Sequence, residues 1–271
     1  MTTATIPGEV ATALSALRVG ISGKGGVGKT TISAVLARTL ARRGRRVVAI
    51  DCDTDPNLAA NIGLGEQGAA RLRPLLDQSG AERHTPDDLV PAELVGRYGK
   101  PGPDGVILML GARIEKAGSG CTGSAHVVIH RFIERSALEL PDTYVVADME
   151  AGLEHLAWAN GTLRYVDRLL VVIQPTTKVL MTAARTHALA VELGIPRIDY
   201  VANRVRPGDE DRLVAFAAEH GGEVLALLPE DPAVAANDRV AGCLLDSSPA
   251  SPVVAGIEAL ATKLDPGTAP G

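Results

Sequence analysis

Residues 17–31 read LRVGISGKGGVGKTT, a short apolar strand followed by a glycine-rich loop. The loop matches the phosphate-binding pattern G-x-x-x-x-G-K-[ST] through Gly23, Gly28, Lys29 and Thr30. Its glycines permit positive φ angles, so backbone N–H groups can approach phosphate oxygens that a Cβ would obstruct. Lys29 is expected to reach the β/γ-phosphates of a nucleotide, and Thr30 to offer its hydroxyl to Mg²⁺.

The residues after the loop predict a helix with one buried face. Apolar side chains recur at Ile32, Val35, Leu36 and Leu40, with the spacing of a single helical face, and the pattern stops at Gly44. Strand, glycine-rich loop and helix in this order form the context that a phosphate-binding loop requires. The motif therefore predicts a nucleotide site rather than a glycine-rich turn without a ligand.

Apolar strands and helical stretches alternate along the chain, which predicts an α/β fold with a doubly wound, mostly parallel sheet flanked by helices. After the first strand at 17–22, strands are predicted at 47–51, 106–110, 144–148, 169–174, 199–203 and 224–228. Helices are predicted at 30–43, 124–138, 178–193, 209–220 and 252–264. We expect one domain at 17–264, an N-terminal extension at 1–16 and a flexible tail at 265–271, with 65–105 the most irregular part.

The composition is typical of a soluble protein inside the cell. The 271 residues are 46% apolar but only 3% aromatic, which suits an aliphatic parallel sheet covered by helices. No apolar run approaches the roughly 20 residues of a membrane span. Three cysteines without a close pair argue against a disulfide framework, and Cys52 and Cys243 are expected to be buried. We therefore expect a cytoplasmic protein that does not bind a membrane.

The net charge of −5 weighs against a general affinity for nucleic acid, which requires a basic surface. Five arginines nevertheless cluster at the end of the first helix, namely Arg38, Arg42, Arg43, Arg45 and Arg46. Cations are favoured at the negative end of the helix dipole. We interpret the cluster as a solvated helix end rather than as a binding patch.

Polar residues follow three of the predicted strands, where an open parallel sheet binds its ligands. The second strand ends at Asp51, with Asp53 and Asp55 just beyond it; the strand YVVAD ends at Asp148, and the strand DYVAN ends at Asn203. Asp55 precedes a proline and is expected to cap the next helix, which favours Asp53 for a role in the site. The alternatives are a plain helix cap for Asp148 and a turn former for Asn203.

The loop carries an additional lysine, Lys24, directly after its first glycine. With it, GKGGVGKT resembles the deviant Walker A loop of the MinD/ParA/nitrogenase iron protein family of P-loop NTPases, whose members work as ATP-sandwich dimers. The resemblance implies that Lys24 crosses the dimer interface to the partner subunit's nucleotide, where a cation stabilises developing charge. A solvated lysine at a turn is the alternative.

The resemblance also implies roles for the residues after the strands. Asp53 would lie in switch I, position the attacking water and join the Mg²⁺ shell, and Asp148 would hold a Mg²⁺-bound water. Together with Lys24 and Lys29 they form the implied catalytic set. Asn203 would read the adenine base, Pro229 would lie in the base-covering loop, and Gly152 in switch II would sense the γ-phosphate through its backbone N–H. The residues implied to bind ATP or ADP are Gly25, Gly26, Val27, Gly28, Lys29, Thr30, Thr31, Gly152, Asn203 and Pro229.

Two further segments resemble the CooC-like accessory ATPases that insert nickel into carbon monoxide dehydrogenase. They are GARIEKAGSGCTGSAH at 111–126 and DMEAGLEHL at 148–156. In these ATPases a Cys-x-Cys pair lies at the dimer interface, so two chains supply four thiolates to one metal. Here Cys121 occupies the first position, but Thr122 and Gly123 follow it. The resemblance implies an ATP-dependent homodimer that serves as a metallochaperone for a client metalloenzyme.

The missing cysteine leaves the metal site open. Two chains would supply only two thiolates, short of the four ligands of a closed zinc site or a square-planar nickel site. His126 and His130 are spaced i, i+4 on the next predicted helix and are expected to face the same side. Cys121 and His126 from each chain would make an S₂N₂ set for Ni or Zn. A structural role for these residues is the alternative.

Other branches of the family fit less well. A reductase like the nitrogenase iron protein needs two cysteines per chain for its [4Fe–4S] cluster, and DMEAG lacks the second. A MinD-type ATPase would end in a basic amphipathic helix, unlike IEALATKLDPGTAPG at 257–271. A DNA-segregating ATPase of the ParA type would require a basic face, which the net charge of −5 does not suggest. The remaining alternative is a partner-directed regulatory ATPase without a metal site of its own.

Overall fold

The computed structural model describes residues 17–75, 90–114, 123–157 and 161–266. The strands in these residues are β1 (Arg18–Gly23), β2 (Arg46–Asp51), β3 (Lys100–Pro101), β4 (Ile107–Leu110), β5 (Thr143–Asp148), β6 (Arg168–Ile173), β7 (Ile198–Val205) and β8 (Val224–Pro229). They form one sheet in the order β3-β4-β2-β5-β1-β6-β7-β8. All neighbouring strands are parallel except β3 and β4, so the sheet is doubly wound and mostly parallel, as predicted.

The described helices flank this sheet. They are α1 (Lys29–Arg42), α2 (Gly65–Ala70), α3 (Pro91–Tyr98), α4 (Gly123–Glu139), α5 (Glu154–Ala157), α6 (Thr177–Glu192), α7 (Glu210–Glu219), α8 (Pro232–Asp238), α9 (Leu244–Ser247) and α10 (Pro252–Leu264). A π-helical turn spans Ala60–Leu64 and a 3₁₀ turn spans Pro103–Gly105. Each predicted strand and helix is present, with only small shifts at its ends.

Residues 65–105 are more regular than the sequence analysis predicts. They contain α2, α3 and the two-residue strand β3, none of which the sequence pattern predicts, while 76–89 lie outside the described residues. In α3, Leu94 and Tyr98 lie one turn apart and are 4% and 5% exposed. Burial of this short apolar stripe stabilises a helix that the surrounding glycine, proline and charge conceal.

Helices cover both faces of the sheet because successive side chains of a strand point to opposite faces. In β2, Val47 and Ala49 join the core beneath α1 and α10, whereas Val48 and Ile50 join the core beneath α3, α4, α6 and α7. The predicted apolar stripe of α1 is at most 1% exposed. The helix that follows the glycine-rich loop is therefore held firmly against the centre of the sheet.

The arginine cluster at the end of α1 is solvated only in part: Arg42 and Arg46 are exposed, whereas Arg38 is buried, which corrects the interpretation for that residue. Arg38 is 3% exposed and donates to Asp104 at 2.6 Å, to Asp246 at 2.9 Å and to the Ile62 carbonyl at 3.1 Å. Arg42 binds the same Asp104 carboxylate at 2.9 Å. A buried guanidinium requires such partners because an unpaired buried charge costs several kcal/mol. The cluster therefore ties α1 to the 3₁₀ turn and α9.

The C-terminal boundary of the domain lies further along the chain than predicted. Asp265 falls in the predicted flexible tail, yet it is only 1% exposed. Its carboxylate accepts hydrogen bonds from the Arg45 guanidinium at 2.7 and 2.8 Å and from the Tyr144 hydroxyl at 3.0 Å. The folded domain thus includes Asp265. The predicted extension at 1–16 and residues 267–271 lie outside the described residues.

Two expectations from composition can be compared with the described residues. Cys52 and Cys243 are 3% and 2% exposed, which confirms that both are buried. No described helix combines the length and the apolar character needed to cross a membrane.

Candidate nucleotide site

The glycine-rich loop connects β1 to α1 at the centre of the sheet. Because β1 lies between β5 and β6, the carboxyl ends of three parallel strands meet beside it. Gly26 and Gly28 have φ angles of +77° and +97°, which residues with a Cβ rarely adopt. Lys24 is exposed, whereas Lys29 is 7% exposed. The loop therefore presents its first lysine to solvent and turns its second lysine inward.

Lys29 lies in an acidic environment beneath the loop. Its Nζ donates to the Lys24 carbonyl at 3.4 Å. Burial lowers the pKa of Lys29, while the negative charges of Asp148, Asp53 and Glu150 oppose that shift. A cation placed here can bind phosphate oxygens through strong charge-assisted hydrogen bonds.

Asp148 ends β5 and is 2% exposed. The Ser33 hydroxyl donates to its Oδ1 at 2.9 Å, and the Thr30 hydroxyl also hydrogen-bonds its carboxylate. Burial raises the pKa of Asp148 to about 6, against the opposing effects of these hydroxyls and of Lys29. Carboxylate and hydroxyl oxygens are hard ligands that suit Mg²⁺. The fold thus brings Lys29, Thr30 and Asp148 together, and the last two supply oxygens that fit this ion.

Asp51 is a buried carboxylate that the sequence analysis passed over in favour of Asp53. The sheet register pairs Asp51 of β2 with Asp148 of β5, and Asp51 is 1% exposed. Burial and then the charge of Asp148 raise the pKa of Asp51 to about 8. Two buried carboxylates side by side do not both ionise easily, so this pair retains a proton more readily than a free carboxyl does. The sequence signal for Asp51 was that the strands β2 and β5 both end in Asp.

Asp51 also organises the loop that carries Asp53. Its Oδ2 accepts from the Leu58 N–H at 2.8 Å and its Oδ1 accepts from the Asp53 N–H at 3.1 Å. Asp51, and not the predicted Asp55, therefore caps the helical segment that begins at Leu58, which corrects that prediction. Asp53 is half-buried and accepts from the Asp55 N–H at 3.0 Å.

The predicted switch II segment runs beside the loop. A Cβ placed on Gly25 would lie 3.5 Å from the Cβ of Ala151, and the next residue, Gly152, has a φ of +114°. His155 in α5 is 1% exposed, and its Nε2 lies 2.9 Å from the Ser22 hydroxyl at the end of β1. Sequence reasoning did not select His155, although it lies in the quoted DMEAGLEHL stretch. This hydrogen bond ties α5 to the strand that leads into the loop.

Burial, together with the positive charges of His126 and Lys29, lowers the pKa of His155 to about 3. The imidazole is therefore neutral at physiological pH. A neutral ring hydrogen-bonds a buried hydroxyl without bringing an uncompensated charge into the core.

His126 and His130 face the same side of α4, as predicted. The His126 Nδ1 lies 3.0 Å from the Thr162 hydroxyl, and the His130 Nδ1 lies 2.9 Å from the Gly161 carbonyl. They are 5% and 7% exposed, and burial lowers the pKa of both. Cys121 lies outside the described residues, and within the described ranges no group of three or more His, Cys, Asp or Glu side chains could hold a metal.

A pocket of about 400 Å³ opens next to the loop, between the ends of β7 and β8. Gly28 and Thr31 line one side of it, and Asn203 and Pro229 line another. Asn203 is 9% exposed and donates from Nδ2 to the Val27 carbonyl at 2.7 Å, while its Oδ1 accepts from the Arg204 N–H at 2.9 Å. The fold thus places the two residues expected at the base beside the loop expected at the phosphates.

Residues 19–240 match the CobQ/CobB/MinD/ParA nucleotide binding domain. The chain belongs to this family and is a P-loop ATPase of the MinD/ParA type. It is 34% identical over 247 residues to the carbon monoxide dehydrogenase accessory protein CooC of Rhodospirillum rubrum. The aligned region covers 86% of this chain and 91% of that protein.

Solved structures of similar proteins share the fold. The MinD cell division protein of Aquifex aeolicus superposes with a TM-score of 0.70 at 21% identity, covering 94% of this chain and 99% of that chain. MinD of Pyrococcus horikoshii, solved in complex with Mg-ADP, has a TM-score of 0.66 at 20% identity, covering 92% and 96%. ATP or ADP with Mg²⁺ fits an ATPase of this family.

Proposed function

We propose that the protein is a dimeric, Mg-ATP-dependent maturation factor that delivers a metal to a client metalloenzyme, in the manner of CooC. The observation that carries the proposal is the 34% identity to CooC over 86% of the chain, together with the resemblance of the segments 111–126 and 148–156 to CooC-like ATPases. The cluster of buried Lys29, buried Asp148 and half-buried Thr30 beneath the loop supports the ATPase part of the proposal.

In the proposed reaction, residues 23–31 bind the triphosphate through backbone N–H groups and the Lys29 ammonium. Thr30 would hold Mg²⁺ directly and Asp148 through water, in a position where a bound Mg²⁺ would supply positive charge to the phosphate oxygens. Asp53, on the loop that Asp51 orders, positions the water for in-line attack. Loss of the γ-phosphate removes the contact to the Gly152 N–H and relaxes switch II.

Two chains close face to face in the proposed active state. The exposed position of Lys24 suits a residue that reaches the partner subunit's nucleotide. Its charge would act where negative charge develops during phosphoryl transfer. ATP binding therefore promotes the homodimer, and hydrolysis releases it.

The cargo, a Ni or Zn ion, is proposed to bind Cys121 and His126 of both chains. Cys121 precedes α4, and the side chain of His126 on that helix lies near His155, which is tied to β1. A conformational change in switch II would therefore be transmitted to residues close to the segment around Cys121.

The second candidate is a partner-directed regulatory ATPase without a metal of its own. The missing second cysteine and the burial of His126 within one chain favour it. It would share the whole ATP machinery and differ only in the segment around Cys121.

Elemental analysis of the purified dimer, with and without ATP, distinguishes the two candidates. After incubation with Ni²⁺ or Zn²⁺, we expect about one metal per dimer, lost in Cys121→Ser and weakened in His126→Ala. Cys243→Ala is the matched control because that cysteine is buried against Arg38, and it should keep its metal. A parent dimer without metal, or a fully loaded Cys121→Ser dimer, would refute the metal site and leave the regulatory ATPase.

A further inference from the structure

The backbone carbonyl of Val27, inside the glycine-rich loop, is hydrogen-bonded by side chains from two different strands. The Asn203 Nδ2 at the end of β7 donates to it at 2.7 Å. The Gln174 Nε2, just after β6, donates to the same oxygen over a longer distance of 3.4 Å. The loop thus receives side-chain support from beyond the two elements that it connects.

The position of this carbonyl determines where the next N–H group points. The Val27–Gly28 peptide is trans, as are all described peptide bonds, so its C=O and N–H point in opposite directions. With the Val27 oxygen held toward Asn203, the Gly28 N–H is turned away from Asn203. A phosphate loop requires this polarity because an anion is attracted by N–H groups and repelled by carbonyl oxygens.

Asn203 also packs tightly on Gly28. A Cβ built on Gly28 would lie only 2.4 Å from the Asn203 Nδ2, closer than non-bonded atoms approach. Residue 28 must therefore be glycine for two reasons, its left-handed φ of +97° and the amide that packs against it. Both of these contacts are made by the amide nitrogen to the loop itself, while the Oδ1 of Asn203 accepts from the Arg204 N–H.

We infer that Asn203, assisted by Gln174, is a positioning residue that holds the Val27–Gly28 peptide in its phosphate-binding orientation. A side-chain amide has two N–H donors, so a role at the base does not exclude this one. The two roles differ in what they affect: base reading acts on adenine alone, whereas peptide positioning acts on any ligand with a phosphate chain. The inference rests on the proposed nucleotide site and deepens it.

The experiment measures affinity for ATP and for inorganic tripolyphosphate, both by displacement of a fluorescent ATP analogue from the full chain. In Asn203→Asp, which keeps the shape but replaces the donor with a carboxylate, both affinities should fall by about tenfold or more. Asn203→Ala, which removes the donor without adding a negative charge, should weaken both ligands less. A role in packing alone predicts the reverse order, because Asp fits the space and Ala leaves a void.

Gln174 provides an independent test because it does not line the base pocket. Gln174→Glu should weaken ATP and tripolyphosphate by the same factor, about threefold given the longer hydrogen bond. Gln67→Glu on α2, an exposed position, is the matched control and should change neither affinity.

The outcomes separate the inference from the proposed function. Unchanged tripolyphosphate affinity in Asn203→Asp with weaker ATP binding would overturn the inference and leave Asn203 as a base reader. A parent chain that binds ATP but not tripolyphosphate would also overturn it, because the affinity would then not reside in the loop. A parent chain that binds neither ligand would refute the nucleotide site itself.

Discussion

Asp265 offers the sharpest test of the packing, because the sequence places it in a tail and the structure places it in the core. In Asp265→Asn, one carboxylate oxygen becomes an NH₂ group that faces the Arg45 guanidinium. At least one charge-assisted hydrogen bond of the pair at 2.7 and 2.8 Å is lost. Such bonds contribute about 1.5–3 kcal/mol each. The Arg45 side chain is 27% exposed, so water partly compensates, and we expect a loss of about 2–3 kcal/mol.

Urea unfolding followed by circular dichroism measures this loss at pH 7. It should appear as a lower midpoint with an unchanged slope, and as a melting temperature lower by roughly 5–10 °C. Glu258→Gln, an exposed position on α10, is the matched control and should stay within about 0.5 kcal/mol of the parent. A chain that ends at residue 264 should be at least as destabilised as Asp265→Asn, because it also loses the hydrogen bond from Arg43 to the Asp265 carbonyl.

The pH dependence provides a second readout for the same substitution. Burial alone would raise the pKa of Asp265, but hydrogen bonds from Arg45 and Tyr144 lower it below its ordinary value. The stabilisation is therefore complete above the unfolded pKa of about 3.9 and is lost as the pH falls through the lower folded pKa. Equal stabilities of parent and Asp265→Asn at pH 7 would refute the anchoring role.

Three further predictions concern the site. Lys29→Ala should abolish tight ATP binding in a calorimetric titration, because it removes the buried cation beneath the loop. Lys178→Ala, at an exposed position, is the control and should bind ATP as the parent does. An unchanged ATP affinity of Lys29→Ala would contradict the phosphate-loop assignment. Lys24→Ala should bind ATP yet fail to dimerise with a non-hydrolysable analogue in light scattering, and normal dimerisation with normal turnover would exclude the sandwich. The pKa of His155, about 3 when folded and about 6.5 when unfolded, means that the unfolded chain takes up the proton first on acidification. As the pH falls below 6.5, the free energy of unfolding should therefore decrease by up to about 1.4 kcal/mol per pH unit, and less steeply in His155→Gln. Identical pH slopes of the parent and His155→Gln would contradict the burial of a neutral ring.

Much of the fold was predictable because its signals are local. The spacing of Ile32, Val35, Leu36 and Leu40 predicts the buried face of α1, and the glycines together with Lys29 and Thr30 predict the phosphate-binding loop. The short elements between residues 65 and 105 were missed because their periodic signals are weak: α2 has no buried side chain, and the buried stripe of α3 is short and includes Leu94 and Tyr98. The stability of α3 depends on its packing against the rest of the fold.

The chain order of residues determined which side chains stand at strand ends, and hence that Asp53, Asp148 and Asn203 would meet near the loop. Only the tertiary structure decided what each of them contacts. The register of β2 against β5 places Asp51 beside Asp148, and the closeness of β7 to the loop places the Asn203 amide on the Val27 carbonyl.

The arginines at the end of α1 and Asp265 illustrate the same division. Their charge follows directly from the residue types, and the helix dipole favours cations at that end of α1. Whether a charge is solvated or buried depends on carboxylates brought together by folding. Asp246 lies 208 positions from Arg38, and Asp265 lies 220 positions from Arg45. Local patterns fix periodicity and turns, whereas burial and pairing are set by contacts between distant segments, which no local pattern encodes.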